Sequence, residues 1–563
     1  MHPGSFVRRV LVVASILGWC STAANKNVSK NGSSLPNIVI LLADNLGYND
    51  ISLFGAPTAQ TPHIDSIGRK GMKLNHWNSA AHLCSASRAS LLTGQYPARL
   101  GIYPRVFHSD AVYGLPPNET TTLAEYLRNE HGYATMIVGK WHLGHRPPYL
   151  PTNQGFDEWL GIPYHMSGGS VDRHVCAYDD DETQWLPLYA NDTIVQQPVS
   201  VQTLAHQYSQ AAVRFLQRHQ QMNKPHFLYM AFSHVHQLCA PKHGPEQAQC
   251  QWAKDENATF VHAVEEMDWI AGQILNQIGD DSNTIVLFTS DNGPWVAEQE
   301  CAGSKGPFEG RWLMENAPWD CTACPGDYRA SPTRDEPRRC LLESTQASLT
   351  GVPCGADTGL GSVWEANLRM PALIQWPGTI QPGTESMESL STLDVVPTIL
   401  SLVGMLNHTI QETLDGMDFS PLLYGKKLDT SERVLFFWRD GFAEGPLPPP
   451  YGRNDVAAIK VGNLKGFFWT KSAHYNDDVE VYHDPPLLFD VLKDPAEAFA
   501  LDPNQHAGLI DTMKRLVAEH KASIPPTFPY TLPTDPKYLP CADPNTNCRT
   551  TPLSNGETQA MVG

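Results

Sequence analysis

The chain has 563 residues and carries 40 Lys and Arg against 59 Asp and Glu, a formal charge of −19. That length exceeds one minimal core and suits a large α/β domain with a smaller one appended, which we place at residues 25–430 and 431–563. No basic run offers a footprint for nucleic acid or an anionic membrane, so a polyanion would have to be gripped locally.

Residues 1–24 begin with Arg8 and Arg9, continue as an apolar run from Val10 to Trp19 and end in small residues, the pattern of a secretory signal peptide. No later segment has the roughly 18 uninterrupted apolar residues of a transmembrane helix, so no membrane span is expected. Sequons at Asn27, Asn31, Asn118, Asn191, Asn257 and Asn407 fit a glycosylated secretory product, lysosomal or extracellular.

Four hydrophobic runs then end abruptly in polar residues: NIVILLAD (Asn37 to Asp44), YATMIVGKWH (Tyr133 to His142), HFLYMAFSHVH (His226 to His236) and NTIVLFTSDN (Asn283 to Asn292). Such short, β-branched runs read as doubly buried strands of a mainly parallel sheet. Between them lie helical patterns at Ser200 to Gln217 and Phe260 to Ile278, and a helix is expected to start near Cys84 in CSASRASLLTG. Trp295 to Leu360 is Pro-, Gly- and Cys-rich without periodicity and reads as a disulfide-pinned insertion. After a helical segment at Leu393 to Val403, the chain enters short runs suited to a small antiparallel sheet and one helix, Gln505 to Ser523.

Twelve cysteines include Cys20 in the signal peptide, which leaves eleven, an odd number for an oxidising compartment. Cys84 stands more than ninety positions from the next cysteine, whereas Cys541 and Cys548, and the group from Cys301 to Cys354, look like local staples. Cys84 is therefore the candidate unpaired one. Cys321 and Cys324 could form a redox or zinc motif, but ordinary disulfides suit a secreted insertion better.

Ligands of parallel sheets bind beyond the carboxyl ends of strands. Asp44, Lys140, His142, His236, Asp291 and Asn292 should gather there, although they span about 250 positions. Asp44 with Asn45 and Asp291 with Asn292 supply the all-oxygen set that a hard divalent cation requires. Lys140, His142 and His236 can bind an anion and move protons. Arg88 lies one helical turn from Cys84, and with the helix dipole and a cation it should favour negative charge at Cys84.

With these residues in place the chain resembles the sulfatase family, arylsulfatase type. CSASR matches the Cys-x-Pro/Ala-Ser-Arg signature whose cysteine becomes formylglycine, and SLLTG continues it. NIVILLADNLGYND, VGKWHLG, FSHVH, FTSDNGP, the R-x-P of Arg369 to Pro371, LDGMDFSPLL and PPLLFDVLKDP follow in the family's order over roughly residues 36 to 500. The resemblance implies an alkaline-phosphatase-like α/β fold: a large, mostly parallel mixed sheet flanked by helices, with a smaller C-terminal antiparallel sheet. It implies sulfate ester hydrolysis in which hydrated formylglycine at position 84 attacks sulfur, and a second hydroxyl, helped by His142, expels sulfate. Asp44, Asn45, Asp291 and Asn292 would hold one Ca²⁺, Arg88 and Lys140 the formylglycine, and His236 the sulfate or leaving oxygen. The implied partners are a sulfated small molecule or saccharide and, during maturation, the formylglycine-generating enzyme.

Three positions depart from the family pattern. Asn45 stands where a second Asp is usual, Leu360 where a lysine contacts sulfate, and His165 of GIPYH where many relatives carry Ser. Lys305 in KGPFEG mimics the missing lysine's motif without its R-x-P continuation, so it is read as structural, as are His165 and His234. An active sulfatase is therefore weighed against a degenerate member that binds a sulfated ligand with little turnover. A related phosphatase is disfavoured because its nucleophile position carries Thr or Ser.

Overall fold

Alternate residues of the first apolar run enter different cores. Ile38, Ile40 and Leu42 of β1 (Asn37–Ala43) join one buried cluster and Val39, Leu41 and Ala43 another, because successive side chains of a strand point to opposite faces. Such a strand needs a covered surface on both sides. The structure, a computed structural model, describes residues 35–102, 106–117, 119–166, 186–236, 260–279, 281, 283–296, 302–316, 357–439, 455–473, 480–525, 534–542 and 545. The expected signal peptide, the sequons at Asn27, Asn31, Asn118 and Asn257, most of the 295–360 insertion and every cysteine but Cys84 and Cys541 lie outside these residues.

The strands after β1 are β2 (Met72–Leu74), β3 (Trp77–Asn78), β4 (Ala134–Gly139), β5 (Glu158–Gly161), β6 (Leu188–Ala190), β7 (Thr193–Gln196), β8 (His226–Ala231), β9 (Thr284–Ser290), β10 (Leu373–Gln375), β11 (Thr384–Ser386) and β12 (Leu390–Ser391). Ten of them form one sheet in the order β11-β2-β10-β9-β1-β8-β4-β5-β6-β7, while β3 pairs with β12. The centre, β9-β1-β8-β4-β5, is parallel throughout. β10 runs antiparallel to its neighbours, as do β6 and β7 at the other edge. The four apolar runs are thus four adjacent central strands, and the sheet is mixed and mostly parallel, as the sequence leads one to expect.

Helices α1 (Pro62–Lys70), α4 (Val201–Gln221) and α5 (Phe260–Ile278) close one face. Helices α2 (Cys84–Thr93) and α3 (Leu123–His131), with the helix Val395–Leu402, close the other. Every residue of α2 is buried, so this helix lies within the protein rather than on it. Among the described residues no helix is long and apolar enough to cross a membrane.

A second sheet, β13 (Val434–Arg439), β14 (Asp455–Val461), β15 (Leu464–Thr470) and β16 (Val481–Asp490), is antiparallel, and Met513 of the helix Ala507–Ser523 packs against its Ile459 and Leu488. Trp364 stacks on Phe467 at 4.2 Å where this sheet meets the larger one. Beside that contact, fully buried Lys465 pairs with Glu365 at 3.0 Å and Glu497 at 3.1 Å, and Arg369 also binds Glu365. Against the effect of burial, Lys465 first and then Arg369 hold the Glu365 carboxyl well below the usual range. Breaking such a buried network strands its remaining charges. Lys465→Met is therefore expected to cost about 3–5 kcal/mol, read as a lowered denaturant midpoint at unchanged slope.

Candidate active site

The central strands deliver their polar residues to one edge, and backbone hydrogen bonds carry the register past the strand ends. Asp291 N donates to the Ala43 carbonyl at 3.1 Å, and Asp44 N to that of His234 at 2.7 Å. Val235 N returns to the Asp44 carbonyl at 2.8 Å, and Lys140 N reaches Ala231 at 2.8 Å. Lys140 can turn in only because Gly139 precedes it: with φ +109°, a Cβ there would lie 1.8 Å from the Ala231 oxygen. Residues distant in sequence are thus fixed by ladder geometry, before any side-chain contact.

Onto this edge α2 points its first residue. The expectation of a helix starting near position 84 holds, and Cys84 is a free, buried thiol. Cys541 is in a disulfide. The Cys84 sulfur lies 3.6 Å from Asp44 Oδ1 and 3.5 Å from Asn45 Oδ1. Arg88, one turn on, donates from Nε to Asp291 Oδ2 and from Nη1 to the Lys140 carbonyl, both at 2.9 Å, and its Nη2 makes an ion-pair contact with Asp291 Oδ2 at 2.9 Å. Its Nη2 stands 3.6 Å from Asp44, whose other oxygen receives Lys140 Nζ at 2.7 Å. Two buried cations and two buried carboxylates therefore interlock around one thiol.

Among the protein's own groups, burial first, and then Asp291 and Asp44, outweigh Lys140 and Arg88 and push the Cys84 thiol well above its ordinary pKa. The cations are already engaged by carboxylates, which leaves little positive potential for sulfur. Burial, followed by repulsion from Asp44, likewise raises the Asp291 carboxyl.

The oxygen set suits a divalent cation. Ligand atoms of Asp44, Cys84 and Asp291 lie within 4.8 Å of one another. Asn45, in the left-handed region at φ 60°, turns its Oδ1 to the same place and accepts from Asn292 Nδ2 at 2.8 Å. The remaining amide oxygen, Asn292 Oδ1, is buried with no hydrogen-bond partner among the described residues. An orphaned buried carbonyl beside two carboxylates is costly by itself and is satisfied by a hard ion.

His142 and His236 border this cluster. His142 Nε2 faces the Phe107 carbonyl at 3.0 Å, so it carries the proton and leaves Nδ1 a buried acceptor with no hydrogen-bond partner among the described residues. His165, read from sequence as structural, stands between the two rings, 5.2 Å from His142 and 5.3 Å from His236. Its position after β5 was the available signal, since β5 lies beside β4, which leads to His142. Leu360 is also at this edge: its N donates to Pro294 at 2.8 Å, and Gly361 N to His82 at 3.1 Å, two residues before Cys84. Lys305 sends Nζ to the Thr358 hydroxyl at 3.0 Å and the Glu309 carbonyl at 3.4 Å, an anchor for the insertion. His234 Nε2 lies 3.3 Å from Glu266.

Comparison with known proteins identifies the family. The Sulfatase family profile matches residues 36–405, and that of the C-terminal region of aryl-sulfatase matches 420–550. Arylsulfatase G of Canis lupus familiaris is 34% identical over 540 residues, covering 91% of this chain and 90% of its own. Arylsulfatase A of Homo sapiens is 31% identical over 490 residues, with 83% of each chain covered. Among solved structures, the PsFucS1 sulfatase from Pseudoalteromonas sp. superposes with a TM-score of 0.64 at 22% identity, covering 88% of this chain and 92% of that one. The phosphonate monoester hydrolase of Agrobacterium radiobacter shares the fold at 0.51 and 16%, covering 86% and 96%. The chain accordingly belongs to the sulfatase family, a family of sulfuric ester hydrolases.

Proposed function

We propose that the protein hydrolyses sulfate esters at residue 84 after Cys84 is converted to formylglycine, beside a Ca²⁺ held by Asp44, Asn45, Asp291 and Asn292. The observation that carries this reading is the unpaired, buried Cys84 at the start of α2, enclosed by Asp44, Asp291, Arg88 and Lys140. When present, the aldehyde hydrate supplies one hydroxyl as nucleophile and a second to release sulfate, and the cation supplies positive charge. Arg88 and Lys140 orient the two carboxylates and are the fixed positive charges nearest the reacting group. His142 Nδ1 is the acceptor for the proton lost on sulfate release, and His236 faces the sulfate or the leaving oxygen. Asn45 contributes an oxygen without a charge, which lowers cation affinity relative to a carboxylate.

The substrate on this reading is a sulfated small molecule or saccharide. The maturation partner is the formylglycine-generating enzyme, and the setting is the secretory pathway. Residues 1–24 would be the signal peptide, 25–430 the catalytic domain and 431–563 the smaller C-terminal domain. Mass spectrometry of the peptide containing Cys84, from protein made in a host with the converting enzyme, tests the proposal. Aldehyde is expected there, and thiol alone would overturn the reading.

Buried, apolar Leu360 at the same edge favours a second reading, a member that binds sulfated ligands with little turnover. We expect slow hydrolysis of an aryl sulfate that Leu360→Lys accelerates by roughly 10²-fold, the worth of one preorganised donor. A fast rate with Leu360 in place would remove the second reading.

A further inference from the structure

None of the roles above uses His165. Its ring stacks on His236 at 5.3 Å with 14° between planes, and meets His142 at 5.2 Å and 63°. His236 packs in turn against Trp295 at 5.7 Å. The backbone fixes this order: Trp141 N donates to Ile162 O, and His142 N to Pro163 O, both at 3.0 Å. The segment bearing His165 is therefore tethered through the backbone to the one bearing His142. His142 sits at φ 59°, a conformation that such tethering must hold in place.

Several basic groups act on the stack. Besides His142 and His236, Lys140 and His108 act on His165, and Lys140 and Arg88 act on His142. Burial first, and these neighbours next, hold His142 and His165 well below the ordinary histidine range. Two imidazolium rings about 5 Å apart, at an effective dielectric near 20, weaken the second protonation on the order of 100-fold. The stack therefore accommodates one proton far more readily than two.

We infer that His165 is a positioning residue for hydrolysis: it locks the planes of His142 and His236 and makes the three rings a unit that carries a single proton. The inference rests on the sulfatase reading for its consequence in catalysis, and on the ring geometry alone for its consequence in titration. An acid or base in such a unit keeps its orientation through the cycle, and its protonation responds to its neighbours rather than to solvent alone.

Two variants separate the parts. His165→Phe keeps an aromatic ring in the stack without charge, and His165→Ser removes the ring. With ¹³Cε1-histidine-labelled full-length protein, His165→Phe is expected to raise the titration midpoint of His142 or His236 by about half a pH unit or more, since one like charge is gone. With an aryl sulfate, His165→Phe should move the acid limb of the kcat profile in the same direction while KM stays within about twofold. His165→Ser should lower kcat about tenfold or more, because both rings lose their orientation. Unchanged midpoints in His165→Phe, or an unaltered kcat and pH profile in both variants, would overturn the inference. If the unsubstituted protein hydrolyses no sulfate, the function proposal fails, and the labelled titration still decides whether the rings act as one unit.

Discussion

Cys84→Ala is expected to abolish sulfate ester hydrolysis, with kcat falling on the order of 10⁴-fold or more, as when a covalent nucleophile is deleted. The fold should barely notice. Among the described residues the polar contacts of the Cys84 sulfur are the two long ones to Asp44 and Asn45, and alanine is the better helix former at the start of α2. A stability change within about 1 kcal/mol, read by thermal unfolding, would separate chemical loss from misfolding. No neighbouring hydroxyl of α2 is placed to take over. Ser85 Oγ accepts from Phe107 N at 3.1 Å, and Ser87 Oγ is bound to Ser79 Oγ at 2.9 Å and the Ala81 carbonyl at 3.0 Å. Substantial turnover by Cys84→Ala would place the nucleophile elsewhere and defeat the proposed chemistry.

Arg88→Met should be the most destabilising substitution at the site, and its effect should depend on cation. Arg88 holds Asp291 through one hydrogen bond from Nε and an ion-pair contact from Nη2 and approaches Asp44, while Lys140 pairs with Asp44. Without the guanidinium, Asp291 is a buried carboxylate beside another and has lost its main counter-charge. The expected loss is about 3–5 kcal/mol in chelator-treated protein, by denaturant unfolding. A dication seated between the two carboxylates replaces the missing charge, and at about 100 times its dissociation constant it restores about 2.7 kcal/mol. Calcium should therefore stabilise Arg88→Met more than the unsubstituted protein, in which Arg88 and Lys140 already neutralise the pair. Equal calcium effects in the two proteins would show that Asp44 and Asp291 are not the ion's ligands.

Much of the framework was legible because burial writes itself into residue type. A strand covered on both faces must be apolar along its whole length, so β1, β4, β8 and β9 announced themselves as continuous runs, and their polar ends marked the edge where chemistry gathers. α5 matches its periodic pattern, and α4 continues four residues beyond its pattern. Cys84 was singled out by arithmetic, and the free thiol at the head of α2 fits that argument.

Other features depend on contacts between distant segments, which no local pattern encodes. The engagement of Arg88 and Lys140 by Asp291 and Asp44 weakens their pull on Cys84, because a cation already paired exerts little field on a third group. His165 looked structural because its two partners lie 23 positions before it and 71 after it, and only the adjacency of β5, β4 and β8 stacks the three rings. Lys305, set apart by its motif, is engaged by the Thr358 hydroxyl and the Glu309 carbonyl. The sequence by itself determined which strands are buried on both faces, which strand ends carry polar residues and which cysteine stands apart, since hydrophobic burial and strand polarity are local properties. The tertiary structure alone decided which charges neutralise one another and which rings touch, since those depend on distances of a few ångströms between segments brought together only by folding.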